Sequence, residues 1–307
     1  MYHYVHPLDD ARYPGLHAMD LTTFRRQLDY LCNEYSIVST QEVLLALRAN
    51  RKLPKKSCLL TFDDGYIDHF EYVFPELLER NITAAFFPIP EGVSKKRLIA
   101  ANAVHLILTR VPRIVELRSE LERHALESGI SSDDLAELWA KYGAANRFDD
   151  ADTIFIKRML QHALPEAIRN SIIEKLFYDF VGPDMDSFAR NFYLSETHLR
   201  TMLSAGMTVG SHGYSHRWLD RLTDDEQFEE ISKGLEFLED IGVPTKDWFM
   251  CYPFGAYNEH TKKLLKRFGA AFALTSRPGV ANLLVDDPFE LPRVDCNDIR
   301  EYPVLKN

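Results

Sequence analysis

Over residues 1 to about 92, apolar positions switch between helical spacing and short unbroken runs. Phe24, Leu28 and Leu31 recur at helical intervals, so the chain is expected to turn helical at Leu21-Thr22-Thr23-Phe24. Ser36-Ile37-Val38-Ser39 reads as a short strand, and Thr40 is placed to cap a helix carrying Val43, Leu44 and Leu47. The run Cys58-Leu59-Leu60-Thr61-Phe62 suits a buried parallel strand and stops at Asp63-Asp64-Gly65, which puts two carboxylates at its carboxyl end. A helix over Val73 to Arg80 and a second core strand, Ala84-Ala85-Phe86-Phe87, complete a strand–helix–strand rhythm typical of parallel α/β sheets or barrels.

The texture changes between about residues 95 and 192. Stretches such as Ile154 to Leu164 and Ala167 to Phe180 keep a helical period, Gly129, Gly143 and Gly182-Pro183 interrupt it, and no strand pattern emerges. From about residue 195 the alternation returns. Ser195 should cap a helix, Met207-Thr208-Val209-Gly210 leads as a strand into Ser211-His212, and a helix covers about 223 to 241. Trp248 to Pro253 is the next strand, Asn258 to Phe268 a helix, and Ala271 to Thr275 a further strand. The expected organisation is one α/β domain formed by residues 1–92 and 193–307, with residues 93–192 inserted as a helical segment.

Composition narrows the functions available. The chain has 307 residues, of which 46% are hydrophobic, enough for a substantial core. No run of about 18 apolar residues exists, so no membrane span is expected. The formal charge of -10 argues against nucleic acid as a partner, since its binders carry a basic face. Cys32, Cys58, Cys251 and Cys296 are scattered with no CxxC pairing, which suggests reduced, mostly buried thiols. The opening MYHYVHPLDD has neither a basic stretch nor an apolar core of a secretory signal, so the expected location is cytoplasmic.

Three polar clusters each follow an apolar strand, at the end where parallel α/β folds keep their sites. In Asp63-Asp64-Gly65 two close carboxylates resist joint ionisation unless a cation neutralises one, and Gly65 allows the chain to turn. Alone, that triplet could equally be an ordinary acidic turn. His212 and His216 are four apart and can face one point as nitrogen ligands, although such a pair by itself could be a surface or packing feature. Two histidines plus a carboxylate make a facial set that leaves room for water and substrate. The third cluster, Tyr252-Pro253-Phe254-Gly255, could offer a backbone N–H to a reacting carbonyl oxygen.

Together these clusters resemble the polysaccharide deacetylases of the NodB homology type, carbohydrate esterase family four. Thr61-Phe62-Asp63-Asp64-Gly65 matches that family's TFDDG motif, and His212-Gly213-Tyr214-Ser215-His216 its His-Ser/Thr-x-x-His motif with Gly in second place. Cys251-Tyr252-Pro253-Phe254-Gly255 matches the third motif in outline but lacks the Arg that often orients the catalytic aspartate. The resemblance implies a distorted (β/α) barrel with Asp64, His212 and His216 as metal ligands and Asp63 as general base. It implies a divalent metal ion, with Zn2+ favoured and Co2+, Ni2+ or Fe2+ able to use the same donors. It also implies an oxyanion stabilised at the Phe254 N–H. The usual C-terminal Leu-x-His acid is missing, since the matching stretch reads Ala273-Leu274-Thr275-Ser276-Arg277. Permuted members supply the acid from a Tyr-His-x-Val segment, which here is Tyr2-His3-Tyr4-Val5, making His3 the candidate and His6 the reserve.

Arg293 could hold a site carboxylate in place of the missing Arg, with Asp295 nearby, or could form an ordinary surface ion pair. Trp218, two residues beyond His216, is a candidate platform for a sugar face. His69 and Asp68 read as a solvated first helical turn. The expected function is removal of an N-acetyl or other N-acyl group from a sugar or glycan in bacterial surface-polysaccharide assembly, the insertion favouring short or terminal sugars over long polymers. The alternatives are a metal-dependent amidase acting on a non-sugar amide and a non-catalytic carbohydrate-binding relative.

Overall fold

The computed structural model describes residues 1–9, 12, 15–146 and 149–299. They divide into two compact units, the first comprising Met1–Asp9, His17–Lys96 and the described part of Phe192–Asn307, the second residues 97–191 with a short segment ending at Leu16.

In the first unit short strands alternate with helices: β1 (Val5–His6), β2 (Met19–Asp20), α1 (Leu21–Glu34), β3 (Ser36–Ile37), α2 (Thr40–Arg48), β4 (Ser57–Cys58), β5 (Thr61–Asp64), α3 (Phe74–Glu79), β6 (Ala85–Pro88) and α4 (Pro90–Lys95). In the second unit α5 (Ala100–Arg110), α6 (Ile114–Glu127), α7 (Ser132–Tyr142), α8 (Ala151–Arg158) and α9 (Glu166–Phe180) follow one another, and α10 (Met185–Phe192) ends at the boundary. The first unit then resumes with α11 (Glu196–Ser204), β7 (Thr208–Val209), α12 (Asp224–Asp240), β8 (Phe249–Cys251), α13 (Glu259–Arg267), β9 (Phe272–Pro278) and β10 (Leu291–Arg293).

All strand pairs are parallel, in the orders β5-β6-β7 and β10-β9-β8, with β1-β2 and β3-β4 as separate pairs. Single bridges extend this ladder: Tyr2 pairs with Phe62 on β5, and Ser211, just beyond β7, pairs with Met250 on β8. Backbone bonds Met1 N to Val294 O (2.9 Å) and Cys296 N to Met1 O (3.1 Å) tie the segment after β10 to the one before β1. The central strands β5 and β6 are buried on both sides, as their unbroken apolar runs require: Phe62 stacks on Phe86 at 5.0 Å and on Tyr2 at 5.1 Å.

Helix starts follow capping chemistry. Ser195 caps α11, Thr223 caps α12 and Asn258 caps α13, each in a reciprocal box with the residue three further on. The cap of α2 is Ser39 and not Thr40, because the Ser39 hydroxyl and N–H both pair with Glu42. In the second unit no strand occurs among the described residues, and α5, α6, α8 and α9 pack on one another around buried Leu117, Leu121, Phe155, Ile172 and Phe177. The helix expected over Ile154 to Leu164 widens after Arg158 into a π-turn, Met159–Ala163, closed by Leu164 N to Met159 O.

Candidate active site at the strand ends

Two carboxylates meet one pocket because the backbone leaves β5 in an unusual way. Asp64 has φ +72° and Gly65 φ +73°, so two successive left-handed residues swing the chain out of the strand. Gly65 has no alternative, since a Cβ there would lie 2.6 Å from the Cβ of Pro88. His216 (φ +60°) and Phe254 (φ +57°) share the left-handed conformation, and such strain gathers where surrounding contacts hold a functional group in place.

Asp64 Oδ1 lies 3.3 Å from His212 Nε2 and 3.3 Å from His216 Nε2. Neither contact has hydrogen-bond geometry, and this buried oxygen has no hydrogen-bond partner. The other oxygen, Oδ2, accepts from Tyr66 Oη at 2.5 Å. His212 Nδ1 donates to the carbonyl of Cys251 at 2.7 Å, which turns a bare Nε2 toward Asp64 when the ring is neutral. The three converging atoms form a donor set that could hold a metal ion. Ligands about 2.0–2.1 Å from a tetrahedral ion stand roughly 3.3–3.4 Å apart. The observed spacing fits that requirement.

Asp63 is held by other means. Arg293 Nη1 and Nη2 donate to its Oδ1 and Oδ2 at 2.9 and 2.7 Å, and the Cys251 thiol lies 3.5 Å from Oδ2. Arg293 also donates to Thr61 Oγ1 and to the Thr275 carbonyl, so the guanidinium is fixed on several sides. His3 Nε2 stands 3.8 Å from Asp63 Oδ2, with its side chain 42% exposed.

The turn carrying His216 is clamped by Glu230 of α12. Its carboxylate accepts from the N–H groups of Tyr214 and Ser215, each at 3.0 Å, and from the Ser215 hydroxyl.

A family model described as polysaccharide deacetylase matches residues 50–130 and 180–273. The chain belongs to the polysaccharide deacetylase family. A curated relative, the putative polysaccharide deacetylase YxkH of Bacillus subtilis, is 27% identical over 96 residues, and the match spans only 34% of that relative's length. Among solved structures, the Streptococcus pyogenes deacetylase PplD in complex with acetate aligns over 96% of this chain and 89% of its own, with TM-score 0.57 and 19% identity. IcaB from Ammonifex degensii aligns over 95% and 91%, with TM-score 0.55 and 20% identity. At these identities the likeness establishes the NodB-type α/β fold.

Some residues depart from expectation, while Arg293 meets the first of its two expected alternatives by pairing with Asp63. Tyr252 belongs to the cluster expected to offer a backbone N–H to the substrate, and its side chain is packed in the core. Its hydroxyl donates to the Phe289 carbonyl at 2.9 Å and its ring stacks on Tyr257. Phe254 lies between His216 (4.5 Å) and Trp218, on which it stacks at 4.7 Å, so one face of the Trp218 indole is already covered. Arg293 is buried and forms no surface ion pair, whereas Asp295 caps the turn at Asn297. His6 is buried against Asp68 at 2.7 Å, whereas the His3 ring stands beside Asp63. Asp68 and His69 are not solvated, since both are buried. Of the four thiols, Cys251 and Cys296 are buried, Cys58 is half-buried and Cys32 is exposed.

Tyr66 and Glu230 were missed. Tyr66 directly follows the DDG motif, but nothing local marks its hydroxyl as a partner of Asp64. Glu230 did carry a signal: it sits on the same side of α12 as buried Gly234 and Leu238, where a carboxylate needs a partner.

Burial alone would raise the acidity constant of Asp63, but the Arg293 guanidinium overrides it and holds the carboxyl well below its ordinary range. Burial likewise opposes ionisation of Asp64, and the two imidazoles reverse it. Burial lowers His216. It would lower His212 too, but Cys251 and the two carboxylates push that ring well above the usual histidine value. Tyr66 is driven far up by burial and by Asp64, so it stays a hydrogen donor.

Proposed function

We propose that this protein removes an N-acetyl or related N-acyl group from a sugar, with Asp64, His212 and His216 holding a divalent metal ion, zinc being the favoured occupant. The observation that carries this reading is the convergence of Asp64 Oδ1, His212 Nε2 and His216 Nε2, with the buried Oδ1 left without a hydrogen-bond partner. Such an oxygen is costly unless something positive meets it. Its support from kinship is the family, together with solved relatives of the same fold, one a deacetylase with acetate and another a de-N-acetylase from Aggregatibacter actinomycetemcomitans.

A bound divalent ion supplies Lewis acidity to the acyl carbonyl and lowers the pKa of water. The remaining work falls to the chain. Asp63, kept ionised and aimed by Arg293, takes the proton of the attacking water as the new C–O bond forms. The same pairing makes Asp63 a weak base, so basicity is traded for a fixed position. His3 gives a proton to the sugar nitrogen as the C–N bond breaks, leaving acetate and a free amine. The Phe254 backbone N–H faces the developing oxyanion, and the Phe254–Trp218 pair forms an apolar wall against the sugar. The substrate is a short or terminal N-acylated sugar of surface-polysaccharide assembly.

Acetate release from N-acetylated sugar oligomers, nucleotide sugars and cyclic imides, measured with and without added Zn2+, tests the reading. Metal-dependent acetate release from a sugar that Asp64→Asn abolishes is expected. Release from the imide alone would reassign the substrate, and long chitooligomers as best substrates would overturn the short-sugar preference. Equal activity of Asp63→Asn would remove the base.

A further inference from the structure

The reaction above makes no use of Asp68 or His69, yet both are buried beside the site. His69 opens a π-helical turn, His69–Val73, and its Nε2 lies 2.8 Å from the backbone carbonyl of His3. A carbonyl only accepts, so Nε2 carries the hydrogen. The other nitrogen, Nδ1, is buried with no partner, and the rings of Phe62, Tyr66 and Phe86 surround the imidazole at 5.5, 5.7 and 5.7 Å. Burial lowers the proton affinity of this ring, which agrees with a neutral form protonated on Nε2 alone. For packing among aromatic rings a phenylalanine would serve better, since it would bury no orphaned nitrogen. What the imidazole adds is the hydrogen bond to His3.

The adjacent Asp68 acts three residues further along the same segment. Its Oδ2 accepts from His6 Nδ1 at 2.7 Å, with both side chains shielded from solvent. On the other side, Tyr2 N donates to the Thr61 carbonyl and Asp63 N donates to the Tyr2 carbonyl. The backbone around His3 is therefore held at Tyr2, at the His3 carbonyl and at His6, while the His3 imidazole itself is 42% exposed. A half-exposed ring takes its aim mainly from the backbone that carries it.

We propose that His69 and Asp68 are positioning residues that clamp the His3–His6 segment and thereby aim the His3 imidazole at the leaving nitrogen beside Asp63. This rests on the reading of His3 as the general acid. The clamp acts through proton delivery, so it matters for an amine leaving group and is irrelevant for one that departs without a proton.

The test compares an N-acetylated sugar with 4-nitrophenyl acetate, whose phenolate leaves unprotonated, using zinc-loaded full chain. His69→Phe keeps the packing and removes the donor; His69→Gln replaces it with an amide N–H of similar reach. His69→Phe is expected to lower kcat on the sugar roughly tenfold to a hundredfold, with KM, zinc content and aryl acetate turnover unchanged, and His69→Gln to recover much of the loss. Unchanged sugar turnover in His69→Phe would overturn the proposal, and so would a parallel fall on both substrates, which marks a general structural role. His3→Ala tests the underlying reading separately: it should lose sugar turnover and keep aryl acetate turnover. If it loses neither, the acid assignment itself fails, and the clamp with it.

Discussion

Arg293 and Asp63 lie 230 positions apart in the chain and meet through two parallel hydrogen bonds of 2.9 and 2.7 Å. The family's third motif often carries an Arg for the catalytic aspartate, and here Cys251 stands in that motif. The guanidinium arrives instead from β10, with its Nη2 2.8 Å from the Cys251 sulfur. A thiol occupies little space, which leaves room for an arginine from another strand to reach the same carboxylate.

Arg293→Met should therefore do two things. It strands a buried carboxylate, which costs about 3–5 kcal/mol when one partner of a buried pair is removed. It also raises the Asp63 carboxyl from its depressed value, because the strongest force opposing burial is gone and only His3 and His212 still favour the ionised form. In the parent, the depressed folded value means Asp63 adds stability above the ordinary carboxylate range and loses it as pH falls toward the folded value. In the variant the folded value lies higher than in the parent, so ionisation contributes less to folding and the stability gap to the parent narrows in acid. Urea denaturation across pH 3–8 measures the narrowing, and the acid limb of kcat/KM should move to higher pH. A gap that widens in acid would contradict this account.

Tyr66→Phe should weaken metal binding without disturbing Asp63. The Tyr66 hydroxyl occupies Asp64 Oδ2, so only Oδ1 faces the imidazoles. Removing it frees the carboxylate to rotate. Loss of a partner that orients a ligand typically costs about 10- to 100-fold in metal affinity. Competition with a chromophoric chelator would show it, and an affinity equal to the parent's would mean the packing around Asp64 suffices.

Much of this site was legible because strand-end motifs are local. Asp63, Asp64, His212 and His216 sit in short segments whose residue types state their chemistry, and the apolar runs before them fix which end of the sheet they reach. Helix starts near 195, 223 and 258 were legible for the same reason, with Ser195 expected as a cap and Thr223 and Asn258 found to be caps. The cap expected at Thr40 falls one residue earlier, on Ser39. What the sequence could not reveal depends on long-range register. Arg293 could be read either as the holder of a site carboxylate or as half of a surface ion pair, because nothing near it in sequence announces which partner it meets. Asp68 and His69 looked solvated because nothing local announces the π-helical turn they open or the partners that bury them. Tyr252 matched a motif, yet its side chain serves the core through Phe289.

Glu230→Ala tests whether the turn bearing His216 needs its clamp. The carboxylate collects two backbone N–H groups and the Ser215 hydroxyl. Hydrogen bonds to a charged group are worth about 1.5–3 kcal/mol each, and the left-handed His216 is strained without them. Metal affinity should drop while the Arg293–Asp63 pair persists. Glu230→Gln, which keeps an acceptor oxygen, should lose less. Identical metal affinity in Glu230→Ala would show that the turn holds its own shape.

Metal uptake should be proton-coupled, with a definite sign. In the metal-free protein His212 is pushed well above the ordinary histidine value, while burial lowers His216. Metal needs both Nε2 atoms bare, so binding must displace the proton that His212 holds at neutral pH. Affinity for Zn2+ should accordingly rise with pH through the neutral range, and calorimetry in buffers of different ionisation enthalpy should register proton release. Chelation should lower the melting temperature, since a ligand at 100 times its Kd stabilises a fold by about 2.7 kcal/mol. The chelation effect should be larger at pH 8 than at pH 6, and it should vanish in Asp64→Asn. Proton uptake on binding, or a chelation effect that grows in acid, would remove His212 from the ligand set.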